Sequence, residues 1–466
     1  MALVETRSID YVPLAERHGK AWHLWPIWFV GDAHLATLAT GALGIASGLD
    51  LFWSAMAIIG GGLLGTFFMA FHSSQGPELG LPQMIQSRPQ FGYLGALLVW
   101  VVALITYIGY NAFNQSLAAA TVHGFTGLPE KLVIVVFALV AIAVALAGYD
   151  VIHRAQRVLA VLLMALLALF TLGAARDLPH LLVPHAFAAK PFLVEFFAVA
   201  AYQLSWSIYV SDYSRYLPRD IGVAATFRWT FWGGFIGGVW MMLTGAFAAA
   251  MFGAGDIVAS LLKCGEAMAP GFGWTMVVVA FCGLITATAL NFYGASLTFI
   301  SIVDTFARVR LGRGARFTSL GAVLAVTLGL SLLSGHNLMA AFEQLLSVLL
   351  YLFTPWTAIN LVDFFIVRRG HYSIRAMFMR DGMYGRWNAR GLIAYAVGFA
   401  AMVPFFSTAV YVGPVARLLG GADISMVIGL PVSALVYWLA CRSLDLPAER
   451  AEILRLDANL ESGDVR

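Results

Sequence analysis

Charge is scarce in this chain. Only 11% of its 466 residues are Asp, Glu, Lys or Arg, against about 25% in an ordinary soluble domain. Hydrophobic residues make up 60%, and the mean hydropathy is +0.82. That balance excludes a water-soluble fold. The formal net charge is only +3, and the basic residues lie between apolar blocks instead of along one strip, so nothing points to nucleic acid. Cysteine is scarce as well. Cys264, Cys282 and Cys441 are odd in number and widely spaced, which fits neither a disulfide framework nor a metal cluster, and they read as apolar filler. The first residues carry charge from Glu5 to Lys20 and lack a short apolar core with a small-residue cleavage site, so no cleaved signal is expected. The loops hold no metal-ligand cluster, nucleophile motif or Gly-rich phosphate loop, which argues against a membrane enzyme.

What the chain does have is long apolar runs. A membrane helix needs about 20 apolar residues to cross a hydrocarbon core of roughly 30 Å. Runs bounded by charge, Pro or Gly give twelve spans: 22-47, 51-72, 94-123, 131-149, 158-176, 192-216, 228-253, 272-302, 317-333, 339-367, 391-412 and 424-442. Several are long enough to be tilted or broken. The longest gap, Arg368 to Arg390, is too short for a separate catalytic domain, so the expectation is one transmembrane domain over 1-466.

Lys and Arg stay preferentially on the cytoplasmic side during insertion. With the N-terminus inside, the inner segments collect Arg7, Arg17, Lys20, Arg88, Arg154, Arg157, Arg215, Arg219, Arg228, the clusters Arg308 to Arg316 and Arg368 to Arg390, and the tail arginines. Only Lys131, Arg176, Lys190, Lys263 and Arg417 fall outside, leaving 23 of the 28 inside. The segregation supports an even number of spans, both termini in the cytoplasm, and a place in the cytoplasmic membrane.

A weak internal symmetry accompanies the spans. Gly60, Gly61, Gly62 and Gly65 in the second span match Gly233, Gly234, Gly237 and Gly238 in the seventh, an offset of about 173 residues. The first and sixth spans, which precede them, hold polar residues in mid-run, Gly31-Asp32-Ala33-His34 and Gln203-Leu204-Ser205-Trp206-Ser207. Five helices plus five, with two more at the end, explain the spacing, and an odd number per half makes the repeats inverted. Glycine-rich helix contacts common to membrane proteins are the alternative account. The expected layout is a cytoplasmic segment over 1-21, a first repeat over 22-190, a second over 191-367, two additional helices over 368-442 and a cytoplasmic tail over 443-466.

Ionisable groups at membrane depth cost several kcal/mol unless paired or hydrated. At about 1.5 Å per residue from Trp22, Asp32 lies roughly 15 Å in and His34 roughly 18 Å in. From Phe192, Gln203 lies roughly 16 Å in and Trp206 roughly 21 Å in. Broken helices at those points would line a cavity. His34 has a second reading, a structural histidine bonded to a neighbouring helix. Asp212 falls at the inner interface, where a local cap or ion pair is the default and a part in closing an inner gate is secondary. In the third span Tyr107 and Asn111 are four apart and share a face; in the eighth, Thr286, Thr288, Asn291 and Tyr293 interrupt an apolar run. Interhelical hydrogen bonding accounts for such residues as well as function does. Their convergence from four helices suits a flat heterocycle stacked by rings and read by amides.

These residues resemble the nucleobase-cation symporter-1 family, which includes cytosine and purine permeases, allantoin and hydantoin transporters and vitamin B6 carriers. The resemblance spans nearly the whole chain. Its most specific part is the loop Gly76-Pro77-Glu78-Leu79-Gly80-Leu81-Pro82-Gln83-Met84-Ile85-Gln86-Ser87-Arg88-Pro89-Gln90-Phe91-Gly92. The stretch from Asp212-Tyr213 to Leu217-Pro218 is similar to the purine-cytosine permease branch. The resemblance implies an all-α, twelve-helix, leucine-transporter-like fold working by alternating access. It places His34 where a relative has a substrate-facing glutamine, Tyr107 and Asn111 at a stacking aromatic and a substrate-reading amide, and Asn291 at a substrate-reading asparagine. Either Gln203 or Trp206 falls at the second stacking position. A sodium site would use carbonyls of Val30, Ala33 and Cys282 with the Thr286 hydroxyl, but Ile285 stands where a second hydroxyl belongs. Asp32 and His34 offer titratable groups instead, so proton coupling is favoured over sodium. The expectation is a symporter importing cytosine or a purine, with hydantoin, allantoin or a vitamin B6 form as the alternative solute. A passive facilitator is a further option. No cofactor beyond the coupling ion and no obligate protein partner is called for; the partners are the solute and membrane lipid.

Overall fold

The computed structural model describes residues 9–147, 149–307, 309, 313–333 and 337–462. Arg7, Arg308, Arg310 and Arg466, counted above among the inner basic residues, lie outside them. Among the described residues the secondary structure is helical, apart from an isolated bridge between Ser407 and Val412. Among the described residues eight helices are long and apolar enough to cross a membrane unaided. The other four expected spans are present in other forms. The first is a chain of short segments, Leu24–Asp32, Leu35–Gly41 and Leu43–Ala46; the fourth is Glu130–Ala147; the eleventh, Ala389–Met402, ends in a tight turn; and the twelfth, Ser425–Cys441, bends by 83° into a tail helix, Leu446–Leu456. Among the helices in stretches read as loop or tail, the longest are this tail helix and Ile257–Met268, the latter capped where Asp256 accepts from the Ala259 N–H at 3.0 Å.

The two halves pack as inverted copies. The first span lies against the seventh, Gly222–Phe252, and the sixth, Ala189–Ser205, lies against the second, Leu51–Ser73. Glycine explains both contacts. A Cβ at Gly61 or Gly65 would come within 3 Å of the Phe196 or Ala200 carbonyl oxygen, and one at Gly233 or Gly237 within 3 Å of that of Trp25 or Phe29. Each half thus presses an i, i+4 glycine pair onto an i, i+4 pair of carbonyls, a backbone approach that only a missing side chain permits. The third and eighth spans, Leu97–Thr126 and Phe272–Phe306, pack against each other beside this centre, and the last two spans pair with each other and the tenth, Leu338–Val362.

The two terminal segments meet on one face, where Glu461 accepts from the Tyr11 hydroxyl at 2.6 Å and the Leu14 N–H at 2.9 Å. An even number of crossings requires this. The loop between the second and third spans is not an exposed connector; residues 81–92 are all buried. Gln90 donates to Asp363 at 2.7 Å, Arg88 to the Met377 carbonyl at 2.6 Å, and the Gln83 N–H to Asp212 at 2.9 Å. This one loop therefore ties the inverted halves to the last two spans. Asp363, fully buried, also accepts from Tyr372 and Tyr437 and pairs with Arg368, so its charge is compensated.

Candidate functional site

Both spans expected to break do so at the expected residues. The first helix stops at Asp32; Ala33 (φ −94°, ψ 71°) leaves the helical region, His34 (φ −149°, ψ 176°) is extended, and a new helix starts at Leu35. His34 caps it, Nδ1 accepting from the Ala36 N–H at 3.2 Å while Nε2 lies 3.3 Å from the Tyr202 hydroxyl. Accepting at Nδ1 leaves the proton of the neutral ring on Nε2. His34 is thus tied both to its own helix start and to the sixth span. The sixth helix ends at Ser205, passes through a tight turn over Trp206–Ile208, and resumes at Val210 after Tyr209 (φ −144°, ψ 11°).

Third and eighth spans run antiparallel, and two contacts set their register. Asn114 donates to Thr288 at 3.1 Å, and Gly294 makes room for Tyr107, whose ring would lie 2.6 Å from a Cβ there. That register puts Asn111 level with Asn291. Asn111 is fully buried, and neither its amide oxygen nor its nitrogen has a hydrogen-bond partner. An unpaired buried amide costs about 1–3 kcal/mol, so it needs a physical account. Asn291 is 8% exposed beside it in level.

Tyr107 is itself covered by a ring of the sixth span. That ring is Tyr209, at 5.1 Å between centroids and 28° between planes. Trp206 meets Trp28 and Tyr209 edge to face, at 5.8 and 5.5 Å. Gln203 is fully buried and turned to the seventh span, its Nε2 at 3.4 Å from the Gly234 carbonyl. Tyr107, Tyr209, Asp212, Tyr213, Tyr293 and Gly294 line a cavity of about 30 Å³, room for about two waters. Asp212 sits on the terminal side of this cavity, held by the Gln83 N–H.

The residues of the expected cation set lie where the first break meets the eighth span, with the Ala33 carbonyl 3.1 Å from the place of a Cβ on Gly283. The Val30 carbonyl accepts from the Ala33 N–H at 3.1 Å and Thr286 donates to the Gly283 carbonyl at 2.9 Å. The Cys282 side chain is exposed. Tyr209 and Gly294 were missed by sequence reasoning, although an aromatic at a helix break and a glycine three residues past Asn291 were visible signals. So was Glu195, fully buried in the outer part of the sixth span, where it accepts from the Gly44 N–H with its other oxygen unpartnered.

Twelve spans, ten of them in two inverted halves of five, with the first span of each half broken at mid-length beside unpartnered polar groups, define a secondary transporter of the membrane. A family model described as permease for cytosine/purines, uracil, thiamine, allantoin matches residues 11–429, and the chain belongs to that family, the nucleobase-cation symporter-1 family. Among relatives, YxlA of Bacillus subtilis (strain 168), which bears the provisional name purine-cytosine permease, is 38% identical over 94% of this chain and 95% of its own. The purine-cytosine permease fcyB of Emericella nidulans is 24% identical over 93% of this chain and 87% of its own. Among solved structures, Mhp1, a nucleobase-cation-symport-1 family transporter in a closed conformation with bromovinylhydantoin bound, superposes with a TM-score of 0.76 at 19% identity, covering 99% of both chains. Its inward-facing form gives 0.72 at 18% identity, over 97% of this chain and 98% of that one.

Proposed function

We propose that this protein imports a nucleobase, cytosine or a purine, across the cytoplasmic membrane by alternating access, driven by a cation gradient with the proton as coupling ion. The observation that carries the substrate class is Asn111: a fully buried amide with both polar atoms free, level with Asn291 and one helical turn from Tyr107. A planar base stacks on the Tyr107 ring, and the two amides read the donors and acceptors along its edge. Tyr209 leaves Tyr107 as the base arrives, and Asp212 with Tyr209 closes the site toward the face that bears the termini, which the basic-residue bias makes cytoplasmic. The purine-cytosine permease names of the 38% and 24% identical relatives support the same class.

A second reading, another planar ring compound, is favoured by two relatives: the hydantoin-bound structure and the Saccharomyces cerevisiae vitamin B6 transporter TPN1, 22% identical over 95% of this chain and 88% of its own. The proton is preferred because the cation set at the first and eighth spans has Ile285 in place of one hydroxyl.

Thermal unfolding of the detergent-purified protein against nucleobases, hydantoins, allantoin and pyridoxine separates these readings. A ligand at about 100 times its Kd adds roughly 2.7 kcal/mol. A shift with cytosine or a purine supports the proposal, and a shift confined to another ring compound transfers the site to that solute.

A further inference from the structure

A second cavity, of about 270 Å³, lies between the start of the sixth span, the start of the tenth and the loop that joins the eleventh to the twelfth. The far end of the sixth span meets the N-terminal segment, where the Tyr216 carbonyl accepts from the His18 N–H at 2.6 Å, so this cavity is on the face opposite the termini. It is far roomier than the space of about 30 Å³ beside Tyr107. Pockets for drug-sized ligands begin at roughly 300 Å³, which makes this one the size for a small solute.

Much of its polar lining is engaged within the protein. Asp423 accepts from the Tyr351 hydroxyl, from the Ser407 N–H at 2.9 Å and from the Ser425 N–H at 2.8 Å, and Gln344 Oε1 accepts from the Ala409 N–H at 2.9 Å. Three groups remain. Lys190 Nζ rests 3.2 Å from where a Cβ would stand on Gly421, Glu343 lines the cavity from the tenth span, half-buried, and Gln344 keeps its Nε2 donors. Among the described residues neither the Lys190 ammonium nor the Glu343 carboxylate forms a salt bridge or hydrogen bond, with each other or with any other group. Opposite charges that share a cavity without meeting leave space between them for a guest. A carboxylate beside ammonium and amide donors, with Phe197 and Leu350 as apolar walls, complements a flat ring that carries an amino N–H next to a carbonyl or ring nitrogen. The edge of a nucleobase has that pattern.

The cavity shares a wall with the central site. Phe342, next to Glu343 in the chain, turns the other way, stacking on Phe113 of the third span at 3.7 Å between centroids and meeting Tyr110 at 6.2 Å. One turn of the tenth span thus shows Glu343 and Gln344 to the outer cavity and Phe342 to the span that carries Tyr107 and Asn111. We propose that this cavity is a second, outer binding site for the transported base, where Glu343 accepts from its N–H edge and Lys190 and Gln344 donate to its carbonyl or ring nitrogen. The proposal rests on the nucleobase reading above and adds to it a holding site on the side from which the solute arrives.

Equilibrium binding of labelled cytosine and adenine to the detergent-purified protein tests this. Wild type is expected to bind two molecules of its base per chain, one tightly and one weakly. Asn111→Leu, which strips the central amide, should keep the weak site alone, and Glu343→Ala should keep the tight site while weakening the other about tenfold or more, the loss expected for a hydrogen bond to a charged group. A single site in wild type that Asn111→Leu removes overturns the proposal, and so does a weak site unchanged in Glu343→Ala. If Glu343→Ala is not recovered folded, Lys190→Ala, at an exposed side chain, replaces it: a weakened second site supports the proposal, and an unchanged one overturns it. Binding of no base at all by wild type refutes the nucleobase reading instead, a separate result.

Discussion

Tyr107 and Tyr209 stack on each other, 5.1 Å between ring centroids, and so cover the face on which a planar solute would lie. The pair joins the third span to the break of the sixth. A cavity of about 30 Å³ beside them admits water and excludes a base.

Removing the Tyr107 ring should weaken binding strongly. Stacking of a base on an aromatic side chain is worth about 1–3 kcal/mol, so Tyr107→Ala is expected to raise Kd by about 5- to 150-fold, measured by ligand titration of thermal stability. Tyr107→Phe keeps the ring and should stay within a few-fold of wild type. Equal affinity in Tyr107→Ala would remove the residue from the site.

Asn111 offers a sharper test, because stability and function should move in opposite directions. Its unpaired amide costs the empty protein about 1–3 kcal/mol, so Asn111→Leu, close in volume and without polar atoms, should raise the melting temperature and abolish uptake. A lowered melting temperature would show that the amide is structural. Asn291→Ala should weaken transport with insertion in the membrane intact, and normal uptake by that variant would take Asn291 out of the substrate set.

The glycine pairs give a prediction about folding. Gly61→Ala and Gly237→Ala each drive a methyl into a backbone carbonyl of the facing span, Phe196 or Phe29, and overpacking of that kind costs about 1–3 kcal/mol or more. Loss of monodisperse protein in detergent is the expected readout. Gly255→Ala, with nothing within 4 Å, should behave as wild type. Tolerance of both packed-site substitutions would contradict the inverted-repeat packing.

Glu195 separates a structural carboxyl from a transporting one. It supplies an acceptor to the Gly44 N–H where the outer half of the first span kinks, with Ser54 at the same spot. Glu195→Gln preserves the acceptor and adds a donor for the unpartnered Ser54 hydroxyl, so it should fold and transport. Glu195→Ala leaves the Gly44 N–H buried and unpaired and should cost about 1–3 kcal/mol of stability. Transport lost in the glutamine variant would assign Glu195 a protonation role.

Much of the architecture was legible because it is written in quantities a bilayer enforces. Apolar length marks the spans, and Lys/Arg bias marks their parity. The polar breaks at Asp32-Ala33-His34 and Gln203 to Ser207 stood out because an unbroken helix could not hold them at mid-depth. Direction was not legible. Residue counting put Asp32, Gln203 and Trp206 near mid-depth, but only the fold shows that Asp32 and Gln203 turn to the seventh span while Tyr209 takes the stack with Tyr107. A 3.6-residue period sets faces along a continuous helix, and it is lost through a break, so side-chain direction past Ala33 and Ser205 could not be counted forward. Helix Ile257–Met268 was hidden for another reason: it is too short for a span, and its amphipathic pattern is that of a surface helix.

The most direct test of the account is uptake of labelled cytosine, adenine and hypoxanthine by proteoliposomes holding the pure protein, with sodium and pH gradients imposed separately. The account predicts accumulation of at least one of these bases above its outside concentration when the outside is the more acidic, and none without a gradient. Equilibration without accumulation under every gradient would make the protein a passive facilitator and contradict the symport mechanism.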